Sequence, residues 1–481
     1  MASMTLPQDQ PLGRHLWLVA GFLLLAGAVA GGYALATQEV QAMYAVIAGA
    51  AAVAVLLDYR IGAILLVGLL PVSSTSLFPH AMMGVQGLNP INLLLGATLV
   101  AYLVRGRLEH PGALVPKPLM LLFILPIVAA AVMGTRHVDD IHPGFYEQLV
   151  INYTNWSGYI RDGLIKPLLI VLAAVLVGAA VAKARRPEPY VAALAVGSVL
   201  LALVMLGFVV VSGVRIGWLA SPRARAFFDQ IGAHANELGR VFVSVYALLL
   251  FAWWETKVEK VKVALFLVLG IVTIGIVLTF SRNAFLGFFL VNGMFLLWRF
   301  QAKKLGLAML GAAVAAALAP GAVYRRLTYG FDSGAADTAN AVSAGRIDGI
   351  WLPLVPDALD SPLWGHGLDS IMWSHAMLSG QTLFVGHPHN AYLQAVLDMG
   401  LIGLVLLVAY YWTVWRGFRA LGSNAYLSPM MRGFFQGACA ALVAFAVAGM
   451  TGGSLRPQPE NVPLWITIGI MYGLLARRPA S

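Results

Sequence analysis

Tyr190–Gly213 reads YVAALAVGSVLLALVMLGFVVVSG, without a single charged residue. A helix needs about 20 mostly apolar residues to cross the hydrocarbon core of a bilayer. The run is bounded by Lys183, Arg185 and Arg186 on one side and Arg215 on the other, so its charges sit where a membrane would end. The same pattern repeats along the chain. Candidate spans are 16–36, 43–57, 61–78, 90–104, 118–134, 164–182, 190–213, 237–254, 263–280, 284–298, 305–321, 391–412, 433–450 and 463–476. The composition agrees: 60% of the 481 residues are hydrophobic and 11% charged, whereas a soluble domain carries about 25% charged residues. The expected fold is all-α, a polytopic integral membrane bundle of about 12–14 transmembrane helices, with a partly helical loop domain on its outer face. The run 16–36 is too long for a secretory signal core and lacks a convincing cleavage site, so it is read as a retained span.

Charge sets the expected orientation. With the N-terminus inside, every inner connection carries Lys or Arg: Arg14, Arg60, Arg105/Arg107/Lys117, Lys183/Arg185/Arg186, Lys257/Lys260/Lys262, Arg299/Lys303/Lys304, Arg416/Arg419/Arg432 and Arg477/Arg478. This is the positive-inside pattern, and it places both termini in the cytoplasm. The net charge of +10 is spread over these connections instead of forming one patch, which argues for membrane topology and against nucleic acid. Cys439 is the only cysteine, which excludes a disulfide framework and a Cys-based metal site.

The outer basic residues differ in kind. Lys166 is the only outer lysine, and the others are arginines 136, 161, 215, 223, 225, 240, 282, 325, 326, 346 and 456. Topology alone does not choose arginine over lysine, although interfaces do collect Arg and His. Paired contacts to phosphate oxygens would make that choice. Three inward-running spans begin with polar clusters: Ala233-His-Ala-Asn-Glu-Leu-Gly-Arg240, Ser281-Arg-Asn-Ala-Phe-Leu-Gly287 and Gly386-His-Pro-His-Asn-Ala-Tyr-Leu-Gln394. Their N-termini would present free amides and the positive dipole end to the outer surface, with Asn236, Ser281 and Asn390 as N-caps. Converging, they would form an anion site, to which Arg240 and Arg282 add full charges. Arg282 stands between two apolar runs with almost no loop, where a charge is costly without a partner or a role; the bland alternative is a hairpin arginine reaching to headgroups.

Ser281-Arg282-Asn283 at a span start, Ser343-Ala-Gly-Arg346-Ile-Asp-Gly-Ile-Trp351, Ser361-Pro-Leu-Trp-Gly-His-Gly367 and His389-Asn-Ala-Tyr-Leu-Gln-Ala-Val-Leu-Asp-Met-Gly-Leu-Ile-Gly403 together resemble the O-antigen ligase/polymerase superfamily in order and spacing. The resemblance runs from about residue 220 to residue 415. Asn283 stands where Gly is common, and Asp398 where Glu is common. The resemblance implies a membrane glycosyltransferase. It would move a glycan from an undecaprenyl-diphosphate carrier to an acceptor sugar, either lipid A–core (ligase) or a lipid-linked repeat unit (polymerase), on the periplasmic face of the bacterial inner membrane.

Carried over residue by residue, the resemblance implies His389 as base and Arg282 and Arg346 on the diphosphate; beside these, the polar clusters and the outer arginines themselves offer Arg240, Asn236, Asn390, His387 and Arg225 as substrate-binding candidates. It implies an inverting, metal-independent reaction without a cofactor, the lipid bilayer as surroundings and a chain-length regulator among possible partners. His387 is the alternative base, although Pro388 is expected to hold the pair extended with the rings facing different ways. A metal site on His375, His387 and His389 lacks both a cysteine and clean ligand spacing. Asp369 and Glu237 are candidates to orient His389 or an arginine, and Gly365 and Gly367 to permit a tight turn. The rival reading is a lipid-linked glycan transporter or flippase, which would bury ionisable residues at midplane and interrupt its helices there; the spans show little of either. The expected division is 1–189 N-terminal helices, 190–321 core helices carrying Arg282, a loop domain at 322–390 with a flexible joint at 334–344, and C-terminal helices at 391–481.

Overall fold

The computed structural model describes residues 40–79, 81–82, 85–106, 114–148, 150–299 and 343–477, with isolated residues elsewhere. The expected span 305–321, most of 16–36 and most of the joint at 334–344 lie outside the described residues. The other twelve expected spans each fall on a helix, although the one expected at 61–78 stops being helical after Val72. They are α1 (Val40–Leu57), α2 (Tyr59–Leu69), α3 (Pro90–Ala101), α4 (Leu125–Gly134), α5 (Lys166–Lys183), α6 (Glu188–Val211), α7 (Ala235–Glu255), α8 (Glu259–Leu278), α9 (Arg282–Arg299), α10 (Ala391–Gly422), α11 (Pro429–Gly449) and α12 (Val462–Leu475). Among the described residues seven helical stretches are long and apolar enough to cross a membrane, the longest being Trp156–Lys183 and Ala391–Gly422. The protein is an all-α, multi-pass membrane protein. Among the described residues the only sheet is a two-residue antiparallel pair, Ala81–Met82 with Val85–Gln86.

The bundle is built around α7, in which every residue from Val241 to Ala252 is buried. Its closest neighbour is α11, and small residues allow the approach: a Cβ at Gly433 or Gly437 would come within 2.3 Å of the Phe251 or Ala247 carbonyl oxygen. That four-residue spacing of glycines is the small-residue seam by which apolar helices pack in lipid. Polar side chains inside the bundle are satisfied locally, as where Asn292 donates to the Phe288 carbonyl at 2.8 Å and accepts from Tyr246 at 3.0 Å.

The bundle has two chemically different ends. One holds the starts of α6, α8 and α11, tied where the Ser428 hydroxyl donates to Glu188 at 2.7 Å. The other holds the starts of α7, α9 and α10 and the loops 135–155, 212–234, 343–390 and 450–461.

Residues 343–390 fold as short helical turns, including Ile347–Trp351, Val355–Asp360, Ser370–Trp373 and His375–Leu378. They pack on the bundle: Phe145 and Phe384 lie 4.2 Å apart, and Leu368 donates its N–H to Ala130. The deepest part of this loop enters a break in α10. Gly400 has φ 64° and ψ −172°, a combination that essentially only glycine adopts. Residues 362–367 fill the gap. His366 and Gly367 donate to the carbonyls of Leu397 and Asp398 at 2.8 and 3.0 Å, and Leu401 and Ile402 donate back to Pro362 and Leu363 at 2.8 and 3.3 Å. Gly365 (φ 71°) and Gly367 (φ 98°) make the expected tight turn. The expectation of uninterrupted spans is therefore corrected at α10. Its Asp-Met-Gly-Leu-Ile-Gly sequence looks continuous, but backbone groups from another segment replace the helix's own bonds.

Candidate active site

The site is built on three helix starts. Asn390 caps α10, its side-chain oxygen accepting the N–H groups of Tyr392 and Leu393 at 3.1 and 3.2 Å. Ser281 caps α9 through Ala284 N–H at 3.3 Å, so Arg282 occupies the first turn, half-buried. The third cap corrects the sequence reading: His234, not Asn236, caps α7. The His234 Nδ1 accepts from Asn236 N–H at 3.2 Å, and the Glu237 carboxylate accepts from His234 N–H at 3.1 Å. Glu237 stands three residues after His234, the spacing of a capping box, and an imidazole lone pair serves in place of the usual hydroxyl. Glu237 thus orients its own helix end. Asn236 is freed to accept the Ser281 hydroxyl at 2.7 Å, which joins the α7 and α9 starts.

The end of α11 and the segment after it bind these starts together. Tyr392 donates to the Ala446 carbonyl at 2.7 Å, and Asn283 to Ala448 at 3.4 Å. Arg346 donates to the Thr451 carbonyl at 2.6 Å, and Arg240 forms an ion pair with Glu460 at 2.7 Å. Arg346 and Arg240, from segments about a hundred residues apart in sequence, thereby meet one short loop. Between α7, α9 and α11 beneath that loop lies a crevice of about 30 Å³, lined by Arg240, Asn283, Gly449, Gly453 and Glu460 among others.

His387 and His389 sit above this ring. Trp351 donates its indole N–H to the Pro388 carbonyl at 2.8 Å, holding the His-Pro-His strap. The strap is not extended as the sequence suggested. His389 has φ 53°, which folds the two rings together at 4.1 Å between centroids, edge to face. The local reason is a turn in which His389 N–H donates to His387 Nδ1 at 3.2 Å. That bond uses the His387 Nδ1 lone pair and places a neutral ring's proton on Nε2. Left-handed backbone at a non-glycine residue costs about 1–2 kcal/mol. The four described non-glycine residues with positive φ are Phe280, Ala344, Asp369 and His389. Each lies within or beside a motif singled out in the sequence, which is where stored strain tends to collect.

The field at the strap is cationic. Burial, then the neighbouring His387, Arg346, Arg240 and His234, push the His389 pKa down to about 3. Burial, then Arg240 and Arg346, push His387 down to about 4. Both imidazoles are neutral near pH 7. The structure thus gathers His389, His387, Arg346 and Arg240, with Asn390 at the adjoining helix start. Arg282 is placed at the α9 start, linked to α7 through the Ser281–Asn236 bond. The backbone of Arg225 lies in the 3₁₀ stretch Pro222–Ile231, and its side chain is outside the described residues.

A second charged group lies under the strap, and the sequence reading saw only fragments of it. Arg456 is bonded to Asp369 and stands 4.0 Å from Asp398. Asp369 also accepts from Gln394 at 3.5 Å, and Asp398 from the N–H and hydroxyl of Ser370, both at 3.1 Å. Arg456 is 6% exposed and Asp398 2%. Burial would lower the Arg456 pKa, but the two aspartates more than offset it and hold the guanidinium charged. Asp369 thus orients an arginine, one of its two expected roles. The signal available in the sequence was Ser454-Leu-Arg-Pro-Gln-Pro-Glu-Asn461, a polar stretch between two apolar helices.

Residues 264–408 match the family model for O-antigen ligase, which supports the O-antigen ligase/polymerase superfamily. The matched stretch holds Arg282, Arg346 and His389, and leaves Arg240, Arg456 and Glu460 outside it. No match was found among curated proteins.

Proposed function

We propose that this protein transfers a glycan from a polyprenyl-diphosphate carrier to the hydroxyl of an acceptor sugar, on the periplasmic side of the bacterial inner membrane with both termini cytoplasmic. The observation that carries the reading is a neutral imidazole, His389, set beside Arg346 and Arg240 within a chain that matches the O-antigen ligase family.

In this reading the diphosphate lies against Arg346 and the α9 start with Arg282, and Asn390, Asn236 and His387 line the remainder. The acceptor oxygen bonds to the anomeric carbon as the carbon–oxygen bond to the diphosphate breaks. The electron pair leaves with the lipid diphosphate, and the acceptor proton passes to His389. Attack from the face opposite the leaving group inverts the anomeric centre. Each preorganised cation on the developing charge is worth about 3–4 kcal/mol. The cationic field that makes His389 a weak base in the empty site is offset when the dianionic donor binds, so proton affinity rises where and when the base is needed. His387 is less suited to the role, because its Nδ1 is occupied by the His389 N–H.

The broken helix α10 and the buried Asp398–Arg456 group are features a transporter would share. Their chemistry favours the enzyme. The freed backbone groups at the break are satisfied by residues 362–367, and the arginine is closed by two carboxylates, so neither lines an open path.

The testing experiment supplies purified protein with one lipid-linked repeat unit, then adds lipid A–core. A product ladder without core identifies a polymerase, and product only after core is added identifies a ligase. No glycan transfer in either arm would overturn the proposal.

A further inference from the structure

At the end of the bundle away from the histidines, α6, α8 and α11 enclose a cavity of about 1070 Å³. Its walls are apolar, formed chiefly by Val191, Ala195 and Val199 of α6 and Val261, Leu265 and Val268 of α8. Its mouth carries Arg186, Lys257 and Lys260 against a single carboxylate, Glu188, which the Ser428 hydroxyl already engages. Among the described residues none of these three cations forms an ion pair. Three helices also begin at this mouth. The caps of α6 and α8 are Pro187 and Val258, and neither supplies a side-chain hydrogen bond. Their first-turn amides face the same place, each helix carrying one acidic residue in that turn, Glu188 and Glu259. Along the helices the cavity opens sideways, where Val196 is 58% and Leu200 42% exposed. An apolar slot open to the bilayer and capped by cations matches an amphiphile with an anionic head.

We propose that this cavity binds an anionic phospholipid drawn from the surrounding bilayer, its phosphate at Arg186, Lys257 and Lys260 and its acyl chains between α6 and α8. The ligand is a resident of the leaflet at the basic end, separate from any glycan donor at the histidine end. The inference does not depend on the transferase reading.

The test titrates phosphatidylglycerol, phosphatidylethanolamine and inorganic phosphate separately against the purified full chain, read by native mass spectrometry. Phosphatidylglycerol is expected to bind tightest. Each Lys or Arg near such a headgroup is worth roughly fivefold in affinity, so R186Q/K257Q/K260Q should bind it about a hundredfold more weakly. Phosphatidylethanolamine binding should not change. Ala192→Phe, at an exposed position lining the slot, keeps every charge and should weaken both lipids. The single variants, at roughly fivefold each, carry the test if the triple variant is not monodisperse. Equal affinity for the two lipids, or no loss in any charge variant, would overturn the proposal. Inorganic phosphate binding as tightly as phosphatidylglycerol, with no effect of Ala192→Phe, would do so too by making this a free-anion site.

Discussion

Two arginine-centred groups lie close together at the histidine end, and they are balanced differently. Arg456 is buried with two aspartates for one guanidinium. Arg346 and Arg240 are half-buried; Glu460 pairs with Arg240, while Arg346 is held by a backbone carbonyl. A buried guanidinium needs carboxylates around it, since an unpaired buried charge is prohibitively costly. Half-buried Arg346 and Arg240 instead act on a neighbouring side chain, since the charge of both reaches His389. The first arrangement fastens the 361–374 loop, α10 and the 450–461 segment together. The second sits beside the His387–His389 pair and makes the field there cationic.

The largest effect should come from breaking the closed group. Arg456→Ala leaves the buried Asp398 and the half-buried Asp369 without a cation and should cost about 3–5 kcal/mol of stability, read as a fall in melting temperature in detergent; a melting curve like that of the unaltered protein would remove the structural role. Arg346→Ala should do the reverse. Melting should shift little while transfer falls by about 10²–10³-fold, and equal losses in both measurements would erase the distinction between the groups. Arg282→Lys keeps the charge but not the paired fork and should also be strongly impaired. Near-normal transfer would show that charge alone suffices.

Smaller effects lie in the pH dependence. In the proposed reaction His389 must be neutral to take a proton, and the pKa values of His389 and His387 are held at about 3 and about 4. The acid limb of kcat/KM, which reports the free enzyme, should therefore lie below the ordinary histidine value of 6.5. Arg346→Gln should move it upward and Arg346→Lys should leave it in place. A limb at or above 6.5 in the unaltered protein would contradict the cationic site. Stability follows the same sign. A histidine with a depressed folded pKa stabilises above its unfolded value and loses that contribution as pH falls from 6.5 toward 3. The acid loss of melting temperature should be shallower in His389→Asn.

What could be read in advance depended on how local the cause was. The spans from 43–57 to 284–298 and from 391–412 to 463–476 were legible because apolar length alone decides them. Ser281 and Asn390 were legible as caps because their oxygens reach amides two or three residues on. His234 was missed because an imidazole cap lies outside the usual set of capping residues. The folded His387–His389 pair was missed because a left-handed His389 is set by the strap and by Trp351, which bonds to Pro388 from 37 residues away. Arg456 and Asp369 are 87 residues apart, and nothing in either neighbourhood names the other. The break at Gly400 was hidden for the same reason, since its replacement hydrogen bonds come from a segment that reads as an ordinary loop.

The central claim is that His389 takes the acceptor's proton while cations hold the departing diphosphate. Its most direct test is single-turnover glycan transfer by purified His389→Ala, using a defined polyprenyl-diphosphate donor and its acceptor, with donor binding measured alongside. Donor binding should persist while transfer falls by about 10²–10⁴-fold. Transfer at the rate of the unaltered protein would contradict it.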